Sequence, residues 1–258
     1  MNLFSLRKAR ALFTAACVAA LLLTGAAAPR SARAQDAQTQ QTIRRNIHDR
    51  LPKMPAIDEI RKSPIAGLFE LRVGRDIFYS DANGDYLLTG EMLDTRNRVN
   101  LTEARLDQVF KQDLAQLDWR NAVVWKKGKG QRRLVVFADP YCGYCKRLEQ
   151  ELQKLDNLTV YTFMVPVISE DSPAKIRDIW CAPDRVTAWR QWMLDNVSPP
   201  RAMGQCEAPL KANLQAYDHF QVHGTPGIFF EDGSRSPGLL PAAEIEQRLS
   251  GSGAAATR

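Results

Sequence analysis

Cys142 and Cys145, in the run Cys142-Gly143-Tyr144-Cys145, are the residues of this chain whose type and spacing point most directly to chemistry. Thiols at i and i+3 lie on one side of a helix's first turn, so a disulfide between them closes a small ring without unwinding it. The thiolate, not the thiol, attacks a disulfide. At a helix start, unpartnered backbone N–H groups and the positive end of the macrodipole both favour that anion. The spacing therefore predicts a nucleophile at Cys142 with a depressed pKa, and a more shielded Cys145 that resolves the mixed disulfide. Gly143 leaves room for a partner's backbone, and Tyr144 offers a flat apolar surface without charge. Half of a zinc site is the competing use of this motif, but zinc needs further ligands nearby. Cys181 and Cys206 are too far apart in sequence to form a second close pair, and the first His after Cys145 is His219. No metal is expected, and no cofactor beyond the redox-active cysteine pair itself.

Two other features bear on the same chemistry. His223-Gly224-Thr225-Pro226 precedes an apparent hairpin, and a cis bond at Pro226 would hold an exposed backbone edge beside the cysteines. An extended substrate segment can add to such an edge as a strand does. Thr225 and Pro226, with Gly143 and Tyr144, are therefore the candidate substrate contacts. The spacing of the remaining cysteines favours a structural disulfide between Cys181 and Cys206, closing a loop worth about 3.5 kcal/mol in chain entropy. A second redox pair is the weaker alternative, since neither cysteine clearly opens a helix. His48 and His223 have no evident partner and read as surface side chains.

The elements that must position these groups alternate in type. Arg133–Ala138 is a buried strand ending in Asp139-Pro140-Tyr141, Cys142–Leu155 a helix, and Leu158–Val165 a second strand. Ser172 to about Tyr217 is mostly helical, broken at Pro183, Pro199 and Pro200. Gly227–Glu231 and Arg235–Leu239 form a hairpin around Asp232-Gly233, and Ala242–Leu249 is a last helix. Strand–helix–strand, helices, hairpin, helix is a thioredoxin order with a helical insertion. Upstream, Asn100 with Glu103 marks a helix start, and Leu106, Val109, Phe110, Leu114 and Leu117 follow a helical stripe. Lys126-Lys127-Gly128-Lys129-Gly130 reads as a solvated loop, so helix and loop look like a linker. Before them, Gly67–Val73, Arg75–Ser80, Tyr86–Thr89 and Glu91–Asp94 read as strands of one small antiparallel sheet, with a turn at Asp81-Ala82-Asn83-Gly84. Ile43, Ile47 and Leu51 suggest a short amphipathic helix. The Pro-punctuated segment Leu51–Pro64 fits no element.

The N-terminus reads as an export signal: Arg7, Lys8 and Arg10, then 18 uncharged residues from Ala11 to Ala28, then Ala32-Arg33-Ala34 as a small-x-small cleavage pattern. An uncleaved anchor is the alternative, since that stretch just reaches spanning length, but Ala, Thr and Gly make up much of it. With the mature start at Gln35, five basic and no acidic residues leave with the leader, and the formal charge falls from +6 to +1. A near-neutral protein has no electrostatic footprint for nucleic acid. The expected segments are 1–34 signal peptide, 35–98 N-terminal domain, 99–130 linker helix and loop, 131–250 thioredoxin-like domain, and 251–258 a disordered tail.

Phe137-Ala138-Asp139-Pro140-Tyr141-Cys142-Gly143-Tyr144-Cys145 and Gly224-Thr225-Pro226 resemble the DsbC/DsbG family of periplasmic disulfide isomerases, and the Cys-Gly-Tyr-Cys form points to its DsbC side. Ile179-Trp180-Cys181-Ala182 looks like the family's second-cysteine segment, and Gly74-Arg75-Asp76-Ile77-Phe78-Tyr79 through Gly90 resembles its N-terminal domain. The resemblance implies an α+β chain with a cystatin-like dimerisation domain, a helical linker and a thioredoxin-like domain. It also implies a homodimer with both Cys142 thiols facing an apolar cleft, and a DsbD-type membrane electron donor that keeps the pair reduced. Cys142 would be the nucleophile, Cys145 the resolving thiol and Thr225-Pro226 the cis-proline contact. The expected activity is isomerisation or reduction of wrong disulfides in misfolded exported proteins. A thiol oxidase, or a chaperone that holds unfolded chains, are the alternatives.

Overall fold

The computed structural model describes residues 28–251. They divide into two compact units, with the division between Thr89 and Gly90. Most of the expected leader, and the tail beyond Gly251, lie outside the described residues.

The N-terminal unit is a helix on a four-stranded sheet. Helix α1 (Ala28–Arg50) is followed by β1 (Glu59–Lys62), β2 (Leu68–Val73), β3 (Asp76–Asp81) and β4 (Leu87–Thr89). The strands lie in the order β1-β2-β3-β4, each pair antiparallel. Ile43 and Ile47, one helical turn apart, bury against Ile57, Ile60, Leu71 and Val73. Leu51, expected on the same stripe, lies beyond the helix end and is 45% exposed. The β3–β4 turn is organised by Asp81, whose carboxylate accepts the N–H groups of Asn83, Asp85 and Tyr86. At Gly84 φ is +68°, and a Cβ there would press on Ile43 and Ile47, so glycine lets the turn close onto α1.

Two elements of this region differ from expectation. The Pro-punctuated segment contains β1, which pairs with β2 in the register Ile60↔Leu71. An edge strand tolerates flanking prolines, and four residues are too few to show alternation. Glu91–Asp94 does not continue the sheet. Instead β5 (Leu93–Asp94) pairs with β6 (Val99–Asn100) as a separate two-stranded ribbon that opens the C-terminal unit.

In that unit α2 (Leu101–Leu114) starts at Asn100, whose side chain accepts the Glu103 N–H. Phe110 and Leu114 are buried with Val135, Phe137, Phe163, Phe220 and Phe229. The helix expected as a linker is thus covered along its apolar stripe by the sheet of this unit. Strand β7 (Val123–Lys127) occupies part of the expected loop and pairs antiparallel with residues 158–162. Its alternation of buried Val123 and Trp125 was hidden by the lysines and glycines that follow.

The central motif is β8 (Arg132–Ala138), α3 (Gly143–Leu152) and β9 (Leu158–Met164), with β8 and β9 parallel. Then come α4 (Ser172–Trp180), α5 (Arg185–Arg190) with one π turn at Gln191–Asp195, α6 (Leu210–His219), the hairpin β10 (Gly227–Phe230) and β11 (Arg235–Ser236), and α7 (Ala242–Leu249). The sheet order is β11-β10-β8-β9-β7. Alternate residues of β8 feed two cores: Leu134, Val136 and Ala138 pack with α3, and Val135 and Phe137 with α2. Both faces of the strand are therefore covered, which is why it reads as a continuous apolar run.

Candidate active site

Strand β8 ends at Ala138, and the next residue anchors the loop that carries the cysteines. Asp139 is fully buried. Its carboxylate accepts the N–H groups of Tyr141, Val167 and Ile168 at 2.8–2.9 Å and the Ser172 hydroxyl at 2.9 Å. One buried charge with four donors thus ties the loop before α3 to the loop after β9. Sequence reasoning placed Asp139 at the strand end but assigned it no partner.

Cys142 is the N-cap of α3, in extended backbone conformation, and its Sγ accepts the Cys145 N–H at 3.3 Å. As a thiol it donates to the Thr225 carbonyl at 3.1 Å. Thr225-Pro226 is a cis peptide bond, so the chain brings together the two segments picked from the sequence, 83 residues apart. Gly143 and Tyr144 face solvent, Tyr144 at 60% exposure, and the space where a Gly143 Cβ would stand is open.

The two sulfurs are held in opposite states. The Cys142 thiol is lowered to about 6, first by a hydrogen bond from the Cys145 side chain. Thr225 and the N–H groups of Cys145 and Tyr144 add to this, against the cost of burial, Cys142 being 5% exposed. Cys145 is 2% exposed, and burial first, then the neighbouring Cys142 sulfur, pushes its thiol far up. Both cysteines are free thiols. The Cys142 thiol is thus the more acidic of the two, and the Cys145 thiol holds its proton.

Cys181 and Cys206 are joined by a disulfide with Cα atoms 6.0 Å apart. Cys181 is the C-cap of α4. Arg177 steadies the far side of the bridge through the carbonyls of Gly204 at 2.7 Å and Cys206 at 3.1 Å. His48 and His223 are exposed. Among the described residues no group of three or more His, Cys, Asp or Glu side chains could hold a metal ion.

A buried acid escaped the sequence reading. Glu149, one turn beyond Cys145 on α3, is 4% exposed and accepts the Trp189 indole N–H at 2.7 Å. Burial pushes its carboxyl up to about 7, against the pull of Trp189 and Arg190. A glutamate on a helix defaults to solvent. Only the apolar neighbours at Leu148 and Leu152 hinted that this position sits on the inner face.

A thioredoxin sheet, a cysteine pair at the start of the helix between its two parallel strands and a cis-proline loop against the leading sulfur define a thiol-disulfide oxidoreductase. Comparison with known proteins narrows the class. Residues 119–251 match a thioredoxin-like domain family, and residues 26–103 match the disulfide bond isomerase protein N-terminal domain. The chain is 39% identical over 220 residues to a probable thiol:disulfide interchange protein DsbC of Bordetella parapertussis, covering 85% of this chain and 77% of the relative. It is 26% identical over 231 residues to the thiol:disulfide interchange protein DsbC of Escherichia coli, covering 84% and 89%. A crystal structure of a disulfide interchange protein from Neisseria gonorrhoeae superposes with a TM-score of 0.50 at 31% identity, over 53% of this chain and 99% of that one. The chain belongs to the DsbC family. No helix among the described residues is long and apolar enough to cross a membrane.

Proposed function

We propose that this protein is a periplasmic disulfide isomerase and reductase that repairs wrong disulfides in exported proteins, with Cys142 as nucleophile and Cys145 as resolving thiol. The observation that carries this is the split between the two sulfurs, Cys142 lowered to about 6 and Cys145 raised. The Cys142 thiolate attacks one sulfur of a client disulfide, forms a mixed disulfide and releases the client's other sulfur as thiolate. If that thiolate attacks a second client disulfide and a client sulfur finally displaces Cys142, the disulfide has moved and no net electrons have passed. If Cys145 instead loses its proton and attacks Cys142, the client leaves with two thiols and the enzyme keeps a Cys142–Cys145 disulfide. That disulfide needs a two-electron donor, and a DsbD-type membrane protein is the class that fits.

Gly143, Tyr144 and Thr225 form the surface on which the client segment lies, with Pro226 buried behind Thr225, supported by the exposure of Tyr144 and the approach of the Thr225 carbonyl to Cys142. The Cys181–Cys206 bridge is structural, supported by its place at the C-terminal end of α4. Residues 1–34 are a cleavable signal peptide that sends the protein to the periplasm, and 251–258 a tail. The N-terminal domain, expected over 35–98 and ending as a compact unit at Thr89, makes a homodimer, and 131–250 belong to the redox domain. The helix and strand within 99–130 go with the redox domain by their contacts. The catalyst is the cysteine pair, without metal or organic cofactor. Trapping with a thiol alkylator in cells tests the reading. The pair should be found reduced at rest; a fully oxidised pair would favour a thiol oxidase instead.

A further inference from the structure

Beside the cysteines, the helical insertion builds a charge arrangement that is incomplete within the chain. The π turn at Gln191–Asp195 places Trp192 against the active-site loop, a common use of such turns. The Trp192 indole N–H donates to the Pro140 carbonyl at 2.7 Å, two residues before Cys142, and its ring meets Tyr141 edge-on at 5.5 Å. Two ammonium groups converge on this ring, Lys146 at 4.5 Å from the centroid and Lys175 at 4.0 Å. Lys146 directly follows Cys145 on α3, and Lys175 comes from α4.

Both lysines are half-buried, and the lysyl charges oppose each other. The Lys146 ammonium lies below its ordinary pKa, through burial first and then through Lys175. Their other contacts are neutral oxygens, the side chain of Asn196 for Lys146 and the Ser198 hydroxyl, at 3.0 Å, for Lys175. Among the described residues neither ammonium has a carboxylate within ion-pair distance, although many of the chain's other basic side chains do. An ammonium has three donors. A neutral acceptor and the face of an indole leave donor capacity unused on each. Two like charges held together without a counter-ion repel, and an incoming anion would remove that cost.

We infer that Lys146 and Lys175, held about Trp192, form a contact for a carboxylate side chain of the polypeptide undergoing exchange, so that disulfides with an Asp or Glu near the attacked cysteine react preferentially. The inference rests on the disulfide-exchange reading of Cys142. The half-buried indole supplies apolar surface between the two cations. The recognised segment is therefore acidic and aromatic or aliphatic rather than basic. The contact acts on encounter and register more than on the exchange step, since it touches no reacting sulfur.

The test uses two disulfide-bridged peptides that differ only in Glu or Gln a few residues from one cysteine, reacted with the reduced full-length protein. The ratio of kcat/KM values, Glu over Gln, should be about fivefold at low salt, the size expected for half-screened charge pairs. It should fall towards one at about 1 M salt, where the screening length is only a few ångströms. The double substitution Lys146→Gln with Lys175→Gln should bring the ratio to one, and Lys146→Arg with Lys175→Arg should keep it above one. A ratio of one in the unaltered protein, or a preference that survives the double glutamine substitution, overturns the contact. Failure of the protein to react with either peptide overturns the exchange reading and the contact with it.

Discussion

The C-terminal unit carries two cysteine pairs with the same atoms and opposite characters. Cys142 and Cys145 are free thiols at the N-terminal end of α3, where Cys142 Sγ receives a backbone N–H and lies against the Thr225 carbonyl. Cys181 and Cys206 are bonded to each other 25 residues apart, one at the C-terminal end of α4 and the other in the irregular stretch before α6. A helix start offers N–H groups to a sulfur anion, whereas a helix end offers carbonyls that disfavour it. Backbone polarity thus separates the proposed exchange site from the proposed staple. Loop length sharpens the difference, because a bridge across three residues constrains the unfolded chain little and one across 25 constrains it much.

Breaking each pair should give different kinds of loss. Cys142→Ser should reduce disulfide exchange by about a thousandfold or more, measured as recovery of a scrambled disulfide protein. Cys145→Ala should retain attack but accumulate mixed disulfides on non-reducing gels. Recovery that survives Cys142→Ser would put the chemistry elsewhere. Replacing both Cys181 and Cys206 by Ala should instead cost about 3.5 kcal/mol of stability, read by denaturant unfolding, while alkylation of Cys142 stays fast. Loss of Cys142 reactivity without loss of stability would make the second pair part of the redox machinery.

Glu149 extends the contrast to the far end of α3. Its carboxyl is raised in the folded state, so the proton is bound more tightly there than in the unfolded chain. The stability this contributes is complete at acid pH and is lost as pH rises through about 7. The loss is at most about 3 kcal/mol. Glu149→Gln should flatten the fall in stability between about pH 4.5 and 7. Part of the slope should remain, because burial and the charges of Glu103 and Asp232 also raise Asp107 to about 7. An unchanged slope in Glu149→Gln would show that this carboxyl does not titrate in that range.

The sequence was most legible where local pattern and tertiary packing agree. Helix α7 runs over Ala242–Leu249 as its stripe predicts, and the β8–α3–β9 unit starts and ends within a few residues of expectation. Cys142 at the start of α3 follows from an apolar strand, an Asp-Pro break and the cysteine spacing alone. It was least legible where an element is short or borrows its reason from elsewhere. Strand β1 has four residues between prolines, β5 and β6 have two each, and β7 carries its pattern on Val123 and Trp125 alone. The buried acids Asp139 and Glu149 depend on donors 28 to 40 residues away, the Val167 N–H and the Trp189 indole, which no local pattern reports. Trp192 was invisible for a related reason, since the π turn that aims it has no sequence signature.

Disulfide exchange at this site depends on the state of one sulfur, and the rate at which the reduced protein is alkylated, followed against pH, reads that state directly. The rate should rise through a midpoint near the value of about 6 given by the Cys142 environment and stay level above it. A midpoint near the ordinary thiol value of about 8.5 would show that the start of α3 does not hold Cys142 as an anion.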